Sequence, residues 1–379
     1  MSGKKNVLQV VALVAAMCTA AVLAGPPQWQ AAPSLNTPRE QFGAAVDEAG
    51  SIFIAGGYNR TGGCGPQDPV YNLTIEMLAF DRQSWTYAPA WTILPTQLPI
   101  NHISGTAVIV GRFLYLIGGL SALDAWPPLA QVDRYDLITG SWDSAPPLTT
   151  ARGGHTTVVD RAGRIWVIGG QTASAYDTAS TEFLDTARPG LGWQTGPSLN
   201  ESRLACGSSV DSDGRLYVVG GAYAAGHRTS CERLDPFAAG GWQLNSPGIP
   251  PLPPPTLFDA HAVTGADGMI YEVAGYSSQG WTHRTIRLDL NPNAFCDPTG
   301  WQTRNPLTMP RDLHGLVLGA DGYMYAIGGD YMYEGVYCRS IDSVEKLDTR
   351  RPVGDINGDT FVDFEDINPF VCLLTHLLD

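Results

Sequence analysis

The stretch Leu114–Gly119 reads LYLIGG, a short apolar run closed by two glycines. A run of this length bounded by turn residues reads as a buried strand rather than a helix. The glycine pair lets the chain bend and pass close to a neighbour, where a Cβ would obstruct. The same grammar returns as IFIAGG (Ile52–Gly57), IWVIGG (Ile165–Gly170), LYVVGG (Leu216–Gly221), IYEVAG (Ile270–Gly275) and MYAIGG (Met324–Gly329). Each copy carries an aromatic four positions before its last glycine: Phe53, Tyr115, Trp166, Tyr217, Tyr271 and Tyr325. A spacing of roughly 50–60 residues marks a repeat architecture in which one copy is one supersecondary unit.

Each of these strands follows another across a tight turn such as DRAGR (Asp160–Arg164), DSDGR (Asp211–Arg215) or GADGY (Gly319–Tyr323). Turns of the Asp-Gly type supply the positive φ that hairpins demand. Downstream comes a third strand ending in an apolar-Asp pair: Phe80-Asp81, Tyr135-Asp136, Leu184-Asp185, Leu234-Asp235, Leu288-Asp289 and Leu347-Asp348. A fourth strand is expected to start at Trp85, Trp142, Trp193, Trp242 or Trp301.

This pattern resembles the kelch repeat over about residues 29–348. The resemblance implies an all-β, six-bladed kelch-type β-propeller with four strands per blade. The sixth copy ends at Asp348 without a Trp strand, while Trp29–Leu35 at the other end has the grammar of Trp142–Leu148 and Trp193–Leu199. The N-terminal strand is therefore expected to close the last blade, hiding edges that would otherwise stay exposed.

Two columns invite a chemical reading. Arg39, Arg152, Arg203 and Arg311 stand eighteen residues before the last glycine, with Asn101 in the second copy. Three residues further on come Phe42, Ser104, His155, Cys206 and His314, with His261 one position out of register. A column present in blade after blade does the same work in each. Both are read as structural, as are Glu182, Glu232 and Glu345. Variation between blades is the better guide to function. The stretches after each small-residue pair differ, and they gather on one face of a propeller. They supply the ligand-face candidates Trp126, Tyr223, His227, Arg228, Tyr276, Trp281, His283, Arg284, Tyr331 and Tyr333. Aromatics with polar edges on loops above a rigid scaffold suit sugar rings or protein surfaces.

Composition agrees with a turn-rich β protein: Gly 43, Pro 28 and only 16% charged residues. A net charge of −14 disfavours nucleic acid and anionic lipid as partners. Lys4, Lys5 and the apolar run Val7–Leu23, ending in Val22-Leu23-Ala24, read as a signal peptide over residues 1–24. The protein is thus expected to be exported: secreted, at the cell surface or periplasmic, with no membrane span after cleavage. Cys64, Cys206, Cys231, Cys296, Cys338 and Cys372 then form an even set for which both disulfides and free buried thiols stay open.

The chain ends differently. After a linker at 349–352, residues 353–379 contain GDINGDTFVDFED (Gly354–Asp366). Asp355, Asn357, Asp359, Phe361 through its carbonyl, Asp363 and Asp366 occupy positions 1, 3, 5, 7, 9 and 12 of a calcium loop. Thr360 stands where glycine makes the sharp turn, and Asp366 where a longer Glu gives bidentate reach; both weaken the expected affinity. Beyond it Ile367, Phe370, Val371, Leu374 and Leu378 make an apolar stripe of helical spacing. Loop and stripe resemble one dockerin type I repeat. That family carries two such repeats and binds cohesin domains in extracellular, often polysaccharide-degrading, assemblies. The resemblance implies Ca²⁺ and a cohesin-like or surface protein partner.

Taken together, the residues lead to a non-catalytic binding propeller for a glycan or protein, with a calcium-binding tail for attachment or sorting. A carbohydrate-active enzyme on a kelch propeller, either a copper-radical oxidase or a sialic-acid-modifying enzyme, is the first alternative. A structural envelope component is the second. No catalytic residue is assigned.

Overall fold

A computed structural model describes residues 27–60, 69–122, 126–288, 290, 300–333 and 337–350. It shows six four-stranded antiparallel sheets. Blade 1 comprises Gly43–Val46, Ile52–Ala55, Thr74–Leu78 and Thr92–Gln97. Blades 2 to 5 repeat that order from Thr106, Thr156, Gly207 and His261. Blade 6 takes Gly315–Leu318, Tyr323–Ile327 and Val344–Asp348, and its fourth strand is Gln30–Ala32. The first strands of neighbouring blades touch in an unbroken cycle, so the ring is closed around a central channel. The chain is a six-bladed kelch-type β-propeller.

Close packing at the axis explains the small residues. A Cβ on Gly43 would lie 2.5 Å from that of Ala107 in the next blade. At Gly57, whose φ is +75°, it would lie 2.3 Å from the Glu40 carbonyl oxygen. Further out, the second-strand aromatics fix the preceding turn. Trp166 Nε1 donates to Asp160, and the hydroxyls of Tyr217, Tyr271 and Tyr325 donate to Asp211, Asp267 and Asp321 at 2.7–2.9 Å.

The N-terminal strand closes the last blade, as expected: Gln30 opposes Lys346, Ala31 opposes Glu345 and Ala32 opposes Val344. Trp29 is buried among Tyr271, Leu307, Met324 and Leu347, between blades 5 and 6. Its indole N–H reaches Thr285 Oγ1 and the Asn305 carbonyl, both at 3.1 Å. The fourth strands of blades 1, 3, 4 and 5 repeat this tie to the preceding blade, while the buried Trp142 indole N–H of blade 2 has no partner. Trp91, Trp193, Trp242 and Trp301 donate to the carbonyls of Pro33, Pro146, Pro197 and Pro250 at 2.8–3.0 Å.

One expectation is corrected. In blade 1 the structural tryptophan is Trp91, not Trp85. Residues 80–87 form a separate small hairpin, in which Phe80 pairs with Tyr87 and Asp81 with Thr86. In blade 2 the same turn runs from Asp136 to Ser141, with Gly140 at φ +70°. Trp85 holds that glycine position at φ +58° and is 57% exposed. A bulky residue in this region costs on the order of 1–3 kcal/mol.

The arginine column is structural, as expected. In blade 4 Arg203 Nη1 donates to the carbonyls of Gly220 and Ser230 at 2.8 and 2.9 Å, and Nη2 to Glu232 at 2.7 Å. Arg39–Glu76, Arg152–Glu182 and Arg311–Glu345 repeat it at 2.6–2.8 Å, all buried. Each glutamate also accepts backbone N–H groups from the segment arriving from the previous blade: Asn36, Thr149, Asn200 and Thr308. In blade 2 His102 substitutes, with one ring nitrogen 2.7 Å from the Gly118 carbonyl and the other 3.0 Å from Asp133.

The signal segment, Cys64, Cys296, Cys372 and the calcium loop lie outside the described residues. Cys206 and Cys231 are free and buried. Among the described residues no helix is long and apolar enough to cross a membrane. Thr349 and Arg350, expected as linker, lie against the blade 6 turn: Thr349 is fully buried and donates to the Gly322 carbonyl at 2.8 Å.

Trp29→Ala should remove both the closure contact and a buried indole. A loss of about 3 kcal/mol is expected in urea denaturation, with the chain still folded at zero denaturant.

Candidate functional site

Past the small-residue pairs of blades 1, 4, 5 and 6 the chain forms short hairpins: Tyr58–Asn59 with Val70–Tyr71, Ala222–Tyr223 with Gly226–His227, Tyr276–Ser277 with Gly280–Trp281, and Asp330–Tyr333 with Tyr337–Ser340. These stand on the same face as the segments between blades, to which bridges such as Glu40–Tyr58, Phe258–Tyr276 and Asp312–Asp330 join them.

Several candidates come together here. Arg228 lies over the Tyr223 ring, 4.1 Å from its centroid, while its Nε donates to the Ser202 carbonyl at 2.9 Å. His227, Phe258, Tyr276 and Trp281 form a chain of ring contacts with centroids 4.9–5.2 Å apart. The Trp281 indole N–H points inward, 3.0 Å from Asp312 Oδ1 and 3.2 Å from Asp330 Oδ1. Trp126, at φ +46°, meets Tyr58 edge-on at 5.8 Å over a small cluster with Ile103 and Leu120. Tyr331 sits half-buried in its hairpin, and the Tyr333 side chain lies outside the described residues.

Two candidates are engaged inside the fold. Arg284 binds Glu272 through Nε at 3.1 Å and Nη2 at 2.6 Å, and donates to the carbonyls of Pro253 and Pro255. It is the cation of the blade 5 clamp, where the usual arginine position holds Leu257. His283 Nδ1 is spent on the Leu307 carbonyl at 3.0 Å.

The sequence reading missed a cluster of carboxylates at the seam of blades 5, 6 and 1. Glu40, Asp312 and Asp330 are 0–5% exposed. Asp330 is within hydrogen-bonding reach of both others. Ser340 donates to Glu40 Oε1 at 2.9 Å and Arg60 Nε lies 3.4 Å from it. Burial, then Asp330, pushes the Glu40 carboxyl up to about 8 against the pull of Arg60. The same two causes raise Asp259, half-buried at the channel mouth, to about 7. Asp312 rises well above its usual range, by burial first and Asp330 next. Carboxylates this close keep protons because a low-dielectric site cannot hold so many negative charges. One signal was available: the residue bridged to the hairpin is Ile103, Gly153, Leu204 or Phe258 in blades 2 to 5, and acidic only in blades 1 and 6.

Inside the channel mouth the second column forms a ring of Phe42, Ser104, His155, Cys206, His261 and His314 around a cavity of about 180 Å³. Burial holds all three imidazoles neutral: His155 falls to about 3, His261 to about 4 and His314 well below its usual value. His155 Nε2 lies 3.1 Å from Thr106 Oγ1, and the rings of His261 and His314 are 4.8 Å apart. Among the described residues no group of three or more His, Cys, Asp or Glu is arranged to hold a metal ion.

The seam gives a pH dependence with a definite sign. Glu40, Asp259 and Asp312 bind protons more tightly in the folded than in the unfolded chain. The folded state therefore carries more protons between their ordinary range and about pH 8, and stability falls as pH rises through that window. The three neutral imidazoles bind protons only in the unfolded chain and act in the opposite sense below about pH 7, so the melting temperature should drop between pH 7 and 8.5. Asp330→Asn, which keeps an acceptor for Trp281 and removes one charge, should flatten that slope.

Comparisons with known proteins agree with this architecture. A family model described as the Kelch motif matches residues 104–149. The chain is 30% identical to Kelch repeat and BTB domain-containing protein 12 of Danio rerio over 202 residues, 48% of this chain and 31% of that protein. It is 32% identical to Kelch domain-containing protein 8B of Rattus norvegicus over 149 residues, 38% of each. To Beta-scruin of Limulus polyphemus it is 28% identical over 203 residues, 52% of this chain and 20% of that one. The chain spans about a third of the length of the first two of these relatives. A solved structure titled "Structure of YjhT" superposes with a TM-score of 0.63 at 15% identity, covering 82% of this chain and 95% of the other. Repeat grammar, ring closure and these likenesses meet in one conclusion: the chain folds as a six-bladed β-propeller of the kelch type.

Proposed function

We propose that the protein is an exported, non-catalytic binding propeller whose hairpin face engages a protein partner. The observation that carries this reading is the row of half-buried rings Tyr223, His227, Tyr276 and Trp281 across blades 4 and 5. Rigid blades support it from below, and Arg228 lies beside it. Aromatic and arginine anchors on a rigid base are the usual carriers of binding energy in protein interfaces. A protein ligand is favoured over a glycan. The two tryptophans best suited to stack on sugar, Trp126 and Trp281, spend an edge contact or their N–H on the protein itself. A pull-down from the source organism's extracellular fraction tests it. Tyr223→Ala combined with Tyr276→Ala should weaken retention of the partner at least about tenfold, the cost of losing hot-spot side chains. Equal retention, with unchanged circular dichroism, would sink the reading.

The proposal extends to the tail, where Asp355, Asn357, Asp359, Phe361, Asp363 and Asp366 are assigned to one Ca²⁺ for attachment or sorting. What supports this is the alternation of oxygen-bearing residues at calcium-loop spacing. Calcium titration of the full chain by calorimetry should give one site, lost in Asp355→Ala/Asp359→Ala. An absence of binding heat up to millimolar calcium defeats the assignment.

A further inference from the structure

The turn face, opposite the hairpins, holds a groove that the fold leaves open. It runs between blade 1 and blade 6, lined by Val46, Ala49, Phe80, Trp85, Leu318 and Ala320, with a volume of about 500 Å³. Trp85 is its most exposed ring, set edge-on to Phe80 at 5.4 Å. Nothing in the blade requires a tryptophan there. Trp91 makes the tie to the preceding blade, and the matching turn of blade 2 has Gly140. An exposed indole held in a conformation glycine favours points to a contact outside the blade.

The described chain ends beside this groove. Arg350 packs on Gly322 and reaches the Tyr323 hydroxyl at 3.2 Å, so it lies against the blade 6 turn whose other side lines the groove. Twenty-nine residues follow. Ile367 is seventeen residues on, enough to reach roughly 55 Å when extended. From there the stripe of Ile367, Phe370, Val371, Leu374 and Leu378 needs an apolar surface.

We propose that the C-terminal segment 364–378 docks in this groove of its own propeller, with its apolar stripe covering Trp85, Phe80 and Leu318. Trp85 is then the receptor for the tail, and the tail is an integral cover of the blade 1–blade 6 seam. A partner that uses the stripe must first displace it from the groove.

Hydrogen exchange of the full chain, read by mass spectrometry, tests this from both sides. Trp85→Gly restores the residue the turn favours, so the propeller should fold at least as well; amides of 364–378 should then exchange at least tenfold faster. Phe370→Ser/Val371→Ser leaves the propeller untouched; amides of 82–87 and 318–322 should exchange at least tenfold faster. Wild-type exchange rates on either side in the other side's variant overturn the proposal. Protection that grows with protein concentration also overturns it, because it assigns the groove to a second copy. A groove that exchanges freely in the wild-type protein alone overturns it too, leaving the site to an external partner.

Discussion

A buried arginine–glutamate clamp, repeated at the seams, is the constraint on which the rest of the propeller depends. The chain leaves one blade, runs across the seam and must be fixed before the next blade begins. The glutamate of the following blade takes the backbone N–H groups of that segment, and the arginine closing the segment takes the glutamate and the bend carbonyl. Such a pair earns little net stability from its charges, because desolvation offsets most of the attraction. Its effect is geometric. Breaking one partner strands a buried charge, so the orientation of successive blades is set with little tolerance. The hairpin face inherits that rigidity.

The clamp also shows where the repeat departs from itself. Blade 2 substitutes His102 and Asp133 for the ion pair, and blade 5 keeps Glu272 but recruits Arg284 from its third-strand side. Blades 1 and 6 keep the clamp and add an acid beside it, Glu40 and Asp312. Those two meet Asp330 at the seam that only ring closure creates. The carboxylate cluster is therefore a property of the closed wheel and of no single blade.

These departures mark the limit of what the sequence discloses. The spacing of the glycine pairs, the third-strand Asp residues and Trp29 was enough to read six blades and their closure, because each signal is local and recurs. Trp85 misled because a Trp shortly after an apolar-Asp pair has the repeat's grammar; only the pairing of Phe80 with Tyr87 reveals the extra hairpin. Arg284 looked like a free loop guanidinium, since its partner lies twelve residues away across two strands. The clue was the reverse one, Glu272 in a copy with no arginine in the column. Glu40 and Asp330 were out of reach for a different reason. Their contact joins residues nearly three hundred positions apart; the acid at the bridged position in blades 1 and 6 marks the place, but nothing local names the partner.

Gln30–Ala32 pairs with Val344–Asp348, so the strand made first is used last. Five sheets can be finished from contiguous chain, while the sixth waits for the strand Val344–Asp348 to meet Gln30–Ala32. Loop-closure entropy grows only with the logarithm of length, so the late joining costs little at equilibrium. In time it matters more. An incomplete ring presents unpaired backbone at two places until Val344–Asp348 is made, and an edge of that kind invites pairing with other molecules. The period of greatest hazard for the propeller is thus the interval before its two distant ends can meet.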